Sequence, residues 1–288
     1  DHSISESSGL LFVPARGKCV LMTDFRYKLQ AENETELEVY IYKGGIVAAL
    51  EDILSDSQVS SFGFESQHTL HSLWTKLARL SDRMKISLAP VSGLVEQLRV
   101  IKSAEELSVI RQSVQLNEQV FAKVFPEISP QMSEIEVALA IESSMRLLGA
   151  ESASFETIVL SGENSALVHG VPSRTKMGQS CPITIDMGLI FSGYCSDMTR
   201  NFVLGKTDET YLKIHRLVRR AQKAGIAAVH AGAPAAGVDR AARQIISDAG
   251  YGKHFGHSLG HGVGMAVHEE PRTSRKSRRK LKEGMVIT

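Results

Sequence analysis

Two aspartates, Asp186 and Asp197, flank a stretch whose middle, Phe191-Ser192-Gly193, reads as a turn. Residues 182–187 before it and 196–203 after it read as strands. If the chain reverses around Phe191-Ser192, the two carboxylates face each other across an antiparallel hairpin, with Cβ atoms about 4.5–5.5 Å apart. Like charges that close repel unless something cationic lies between them. A pair of divalent ions about 3.5–4 Å apart would be bridged well by such groups. The bland alternative is that each aspartate caps a turn or meets a neighbour such as Arg200, and for an isolated pair that is the default. Against it, Asp186 interrupts an apolar strand, where an unpaired carboxylate is costly.

Histidines supply the second signal. The run from His254 through His257 and His261 to His268 holds four histidines in fifteen residues. His257 and His261 have the i, i+4 spacing of a helical zinc pair. Gly256, Gly260, Gly262 and Gly264 argue against a helix, and no HExxH accompanies them. Extended or looped backbone follows, with glycines allowing close approach of a ligand or another strand. Neutral imidazole suits zinc, manganese, cobalt or iron, and aspartate ligands shift the preference toward harder ions. His169, in Val168-His169-Gly170-Val171-Pro172, sits in a tight turn upstream of the aspartates; alone it carries little.

The elements that must position these groups can be read from periodicity and caps. Ser103 with Glu106 and Ser133 with Glu136 are capping boxes. The first opens a helix with the stripe Leu107, Ile110, Val114, Leu116, Val120 and Phe121. The second opens one with Ile135, Val137, Leu139, Ile141 and Met145, ending at Gly149. Further helices span about 211–228 and 238–249, the latter ending at Gly250, and residues 154–160 read as a strand. The second and fourth helices match weakly at an offset of 101 residues: Val137 with Val238, Leu148 with Ala249, Gly149 with Gly250. Chance could do this, since helix ends favour glycine. If real, it implies a duplicated half-domain with the site where the halves meet.

Upstream, residues 9–14 and 18–23 suggest a β-hairpin, 38–42 and 60–64 further strands, and 45–55 and 70–80 helices. No cluster with catalytic spacing appears there, which points to a structural or oligomeric role. The chain divides into domains at 1–98 and 103–288.

Composition excludes more than it assigns. A net charge of +1 gives no reason to expect nucleic acid or an anionic membrane as partner. No apolar run approaches the roughly 20 residues a span needs. Three cysteines, Cys19, Cys181 and Cys195, lack metal-type CxxC spacing and fit a reducing, cytoplasmic setting. Residues 272–282 hold seven Lys or Arg, which could favour an acidic partner; with no aromatics interleaved, a solvated loop is the better account. Residue 1 is Asp, and Gly284-Met285-Val286-Ile287-Thr288 reads as an apolar strand just begun, so the sequence reads as trimmed at both ends.

Together these motifs resemble the pita-bread metallopeptidases: methionine aminopeptidases, Xaa-Pro aminopeptidases and prolidases. The match rests on Val168-His169-Gly170-Val171-Pro172, on Ile185-Asp186-Met187-Gly188 through Gly193-Tyr194-Cys195-Ser196-Asp197-Met198-Thr199-Arg200, and on Gly260-His261-Gly262-Val263-Gly264 with His268-Glu269-Glu270-Pro271. The N-terminal domain is similar to the creatinase-type domain of the Xaa-Pro branch, which methionine aminopeptidase lacks. The resemblance implies an α/β (α+β) chain: a creatinase-like α/β domain, then a pita-bread catalytic domain of duplicated αβ halves.

It further implies that Asp186 binds one ion in bidentate fashion, that Asp197 bridges two divalent ions (Mn, Co or Zn), and that His261 ligates the second. His169 and His268 would contact substrate and the developing tetrahedral intermediate, and His257 would line the substrate pocket. A hydroxide bridging the ions would attack the scissile carbonyl of a peptide substrate. Two further glutamate ligands are expected beyond Thr288, so the chain as given should bind metal weakly and be inactive. Cys195 would be structural. Dimers are common in the branch, which leaves a homodimer open. A non-catalytic binding relative is the alternative, and a metal-free, creatinase-like hydrolase is disfavoured by the aspartate pair.

Overall fold

A computed structural model describes residues 9–57 and 59–288; the first eight residues of the expected first domain and Gln58 lie outside them. The chain separates into two compact units, the first running to Leu94 and the second from Val95 to Thr288.

The first unit alternates strands and helices. β1 (Gly9–Phe12) and β2 (Val20–Thr23) form the expected hairpin, and β3 (Glu38–Ile41) pairs with β2 in parallel after α1 (Lys28–Glu34). After α2 (Ile46–Ser55), β4 (Ser61–Glu65) and β5 (Ser87–Val91) form a parallel pair joined by α3 (His71–Met84). Met22, Leu50, Leu54, Leu77 and Leu80 close its core.

In the second unit, α4 (Leu94–Arg99) leads to α5 (Ala104–Val124) and α6 (Glu134–Leu147), both opening on the capping boxes read in the sequence. Their buried faces differ from the expected stripes. Val114, Ile135 and Leu139 are exposed, while Ser113, Asn117, Glu134 and Ser144 are buried. Each of the first three has a backbone or loop partner that repays its desolvation. Asn117 Nδ2 donates to Met187 O at 3.1 Å, Ser113 Oγ donates to Leu189 O at 3.3 Å, and Glu134 accepts from a loop described below.

Of the expected strand over 154–160 only the end is strand, as β7 (Ile158–Ser161); β6 (Ser152–Ala153) precedes it and joins a different sheet. β8 (Pro182–Met187) lies between β7 and β11 (Met198–Val203), antiparallel to both; β9 (Leu189–Phe191) and β10 (Tyr194–Cys195) continue the same hairpin. Ile183, Ile185 and Met187 face the core shared with α5 and α6. Asp186 therefore does not interrupt an apolar strand: strand alternation places it, with Thr184, on the opposite face.

α7 (Glu209–Ala227) packs on α8 (Ala235–Asp248), followed by β12 (Gly260–Gly262) and β13 (Glu269–Thr273). The sequence match at offset 101 is a structural repeat. Glu134 N donates to Thr175 O, and Ala235 N to Arg279 O; Met177 N donates to Met132 O, and Leu281 N to Ala233 O. Isolated bridges Ser133–Lys176 and Pro234–Lys280 mark the same point in each half. Val137 and Val238 are both buried, and the helices end at Gly149 and Gly250, with φ of 103° and 86°. The terminal residues, expected as a strand, touch β12 through one bridge, Gly262–Ile287, with Thr288 N donating to His261 O. Among the described residues no helix is long and apolar enough to cross a membrane.

Candidate metal and peptide site

The hairpin register decides how the two aspartates meet. Asp186 pairs with Thr199, and the inner strands pair Phe191 with Tyr194. The turn is Ser192-Gly193, with φ of 48° and 76°, one residue later than expected. A turn with two positive φ values favours glycine second, as here. Moving the turn by one residue moves the pairing by two. Asp197 is thus diagonal to Asp186 and not directly opposite, although both remain on one face of the sheet. Thr199 fills the opposite position, and its hydroxyl donates to Asp186 Oδ1 at 2.7 Å. Between them, Gly188 has room only for hydrogen: a Cβ there would fall on Ser196 O and Ser154 Oγ.

Neither aspartate forms an ion pair with Arg or Lys among the described residues; Arg200 instead donates to Thr199 O. Asp197 Oδ2 lies 3.4 Å from His261 Nε2, with the two side chains 16% and 20% exposed. Burial, and next the charge of Asp186, push the Asp197 carboxyl above the usual carboxylate range, against the opposing pull of His261. A dehydrated acid facing a second acid is the electrostatic situation a cation relieves.

Extended backbone presents His261, as the glycines require. Backbone carbonyls of Thr288 and Glu270 crowd Gly260 and Gly262, so neither position admits a side chain. The ring of His268 stands edge-on to His261 with centroids 4.3 Å apart. Burial, then His261, Arg272 and His169, hold His268 below the ordinary imidazole value, with Asp186 acting the other way. His169, in an exposed turn, thus lies within electrostatic reach of His268.

The structure therefore brings Asp186, Asp197, His261, His268 and His169 into one neighbourhood. It does not bring in His257, which is exposed, with Nδ1 2.6 Å from Ser258 O and its ring edge-on to Phe255. Cys195 is buried, its thiol pushed up to about 11, first by burial and then by Glu269, so it is no nucleophile.

Two carboxylates and an imidazole suit a divalent cation of the zinc or manganese type. Among the described residues no three ligand-type side chains are already gathered closely enough to hold an ion. The donors fit in kind; a complete shell needs about four or more of them.

Sequence reasoning missed three supports. Thr199 was hidden by the register. Glu269 stands in the histidine motif, but its partners Arg99 and Lys102 lie 170 and 167 residues away, beyond any local signal. The pair Asp239–Arg243 has helical i, i+4 spacing, a signal that was available.

Comparison with known proteins gives the family. The model of metallopeptidase family M24 matches residues 108–288, and that of the creatinase/prolidase N-terminal domain matches residues 4–101. A Xaa-Pro dipeptidase of Pyrococcus furiosus is 32% identical over 97% of this chain and 78% of its own length. The solved structure of a Xaa-Pro dipeptidase from Bacillus anthracis superposes with a TM-score of 0.93 at 33% identity, covering 98% of this chain and 79% of that one. For an X-Pro aminopeptidase from Thermotoga maritima the TM-score is 0.89 at 33% identity, over 97% and 79%.

Proposed function

This chain belongs to the prolidase branch of metallopeptidase family M24, and on that premise we propose that it hydrolyses the bond between an N-terminal residue and a following proline. The relatives named above support the substrate class. The observation that carries the reading is the meeting of Asp186, Asp197 and His261 on one face of the hairpin and its neighbouring strand.

Family membership implies divalent metal. Asp186, Asp197 and His261 are the residues that would hold it, and two ions of manganese, cobalt or zinc are the assignment we propose. A bound divalent ion supplies Lewis acidity, acidifying water and polarising a carbonyl.

The chain's own residues then have separable tasks. Asp197, the carboxylate that lies beside His261, would offer its oxygens to the ion. Thr199 holds the Asp186 carboxylate in one rotamer by its hydroxyl bond. His268, stacked edge-on to His261, and His169, in its exposed turn, offer ring N–H groups to the substrate carbonyl as charge develops on its oxygen. His257 stands outside this group and has no part in holding an ion; lining the pocket further out is the role the resemblance leaves it.

The test uses the longest reading frame that contains this chain, stripped of metal and then supplied with manganese, cobalt or zinc in turn. Hydrolysis of Xaa-Pro dipeptides and tripeptides, with about two ions per chain and both lost in Asp197→Ala, is the expected result. Folded protein that takes up no metal and turns over no Xaa-Pro peptide would sink the reading and leave a peptide-binding relative in its place.

A further inference from the structure

Glu269 follows His268 directly, yet it points away from the proposed ion donors. Its side chain is 8% exposed and pairs with Arg99 and, at 3.1 Å, with Lys102. The Lys102 side chain is 1% exposed, and Glu269 is its one acidic partner among the described residues. An ammonium so buried persists only when paired.

The same carboxylate closes a circuit of backbone. Ala266 N donates to Glu269 Oε1 at 3.0 Å, and Gly264 N donates to Ala266 O at 3.1 Å. Gly264 O in turn accepts from Cys195 N at 2.7 Å, while the Cys195 thiol donates to Met265 O at 3.5 Å. Cys195 is the last residue of β10, two before Asp197. Gly264 is pressed against the circuit: a Cβ there would sit 2.5 Å from Glu269 Oε2. One buried ion pair thus holds the run that carries His268 against the strand leading to Asp197.

We propose that Glu269, anchored by Lys102 and Arg99, is a positioning residue that sets His268 relative to Asp186, Asp197 and His261. Its catalytic consequence rests on the peptidase reading above; its geometric consequence does not. Glu269→Gln retains the shape and the bond from Ala266, but turns an amide toward two cations, so the run drifts.

The experiment takes Glu269→Gln, Glu269→Ala, Lys102→Met and Gly264→Ala in the full reading frame. Steady-state kinetics on a Xaa-Pro dipeptide should show kcat falling about 10–100-fold in Glu269→Gln, as for other orienting groups around metal sites. KM and metal content should stay near wild type. The assigned His268 imidazole NMR signals should move in Glu269→Gln and Lys102→Met, while those of His215, on α7, stay put. Gly264→Ala should cost activity alone but add nothing in a Glu269→Ala background, because the clash it creates is with that carboxylate. Additive losses in the double variant, or a His268 signal unmoved in folded Glu269→Gln, overturn the proposal. Wild type without Xaa-Pro turnover removes the functional reading only, since the His268 signals still decide the positioning.

Discussion

Helix α6 takes its N-terminal anchor from Thr175 and α8 from Arg279, by the same backbone bond in each half of the second unit. The buried polar groups on that shared scaffold are not the same. In the first half Glu134, at the head of α6, accepts from Ser161 N at 2.8 Å, Asn164 Nδ2 at 3.0 Å, Ser173 N at 3.0 Å and Ser173 Oγ at 2.7 Å. In the second half Ala235 stands there, and the polar work falls one turn later to Asp239 and Arg243. Arg243 donates to Asp239 through both Nε and Nη2 at 2.7 Å, to Phe255 O and to His257 O, and Asp239 accepts from Leu259 N. Each device ties down a loop beside the candidate site: 161–173, which carries His169, in one case, and 255–259, which leads into the strand of His261, in the other. The comparison teaches that the repeat conserves the task while the chemistry changes. A carboxylate collecting neutral donors serves one half, and a salt bridge reaching carbonyls serves the other.

Breaking the second device should have the largest effect. Arg243→Met leaves Asp239, whose side chain is fully buried, without its counter-ion; urea denaturation should show a loss of about 3–5 kcal/mol. Hydrogen exchange should rise across 255–261 and stay unchanged across 161–173. Equal loosening of both loops would mean that the halves do not act separately.

Breaking the first should be next. Glu134→Ala orphans several donors that cost about 1–3 kcal/mol each when buried and unpaired, and a net loss of about 3 kcal/mol allows for partial relaxation of the loop. Exchange should then rise around His169 and not around His261.

A titration sharpens the contrast. Burial works against the charge of Glu134, but the Ser173 hydroxyl, the Ser161 N–H, Asn164 and the Ser173 N–H together hold its carboxyl below its ordinary value of 4.5. A folded pKa below the unfolded one gives stability that is fully present above the unfolded value and lost as pH falls through the folded one. Stability measured from pH 6 downward should therefore decline below about 4.5, and decline less steeply in Glu134→Gln. A wild-type slope that Glu134→Gln leaves intact would assign the acid sensitivity to other groups.

The smallest effect belongs to the hairpin itself. Thr199→Val removes the hydroxyl bond to Asp186 and should weaken divalent-metal binding about tenfold, the lower end for an orienting group. Calorimetry with manganese would register no change if Asp186 needs no such support.

Much of this was legible in the sequence. Ser103 with Glu106 and Ser133 with Glu136 marked two helix starts because capping is local chemistry. The pairs Val137–Val238 and Gly149–Gly250 betrayed the repeat because core and helix-end positions tolerate few residues. Asp186, Asp197, His261 and His268 were candidates from type and spacing, whereas His169 entered only through the family resemblance. What escaped depended on register or distance. The stripe assignments failed at Val114, Ile135 and Leu139 because periodicity counts apolar residues. The helices instead turn Asn117 and Glu134 inward, toward a carbonyl and a loop that no pattern announces. The aspartate pairing was two residues off because it depended on which residue took the left-handed turn conformation. Lys102 gave no sign of its carboxylate partner, since only the fold brings position 102 to position 269.

The short turn at Ser192-Gly193 also bears on how the molecule assembles. Closing a loop costs more entropy as it lengthens, and contacts near in sequence form sooner. Asp186 and Asp197 meet across one hairpin, whereas α7 and α8 separate them from His261 along the chain, a far longer loop to close. The contact that crowds negative charge is therefore the cheap, local one to close, and the contact that brings the easing imidazole is the costly, non-local one.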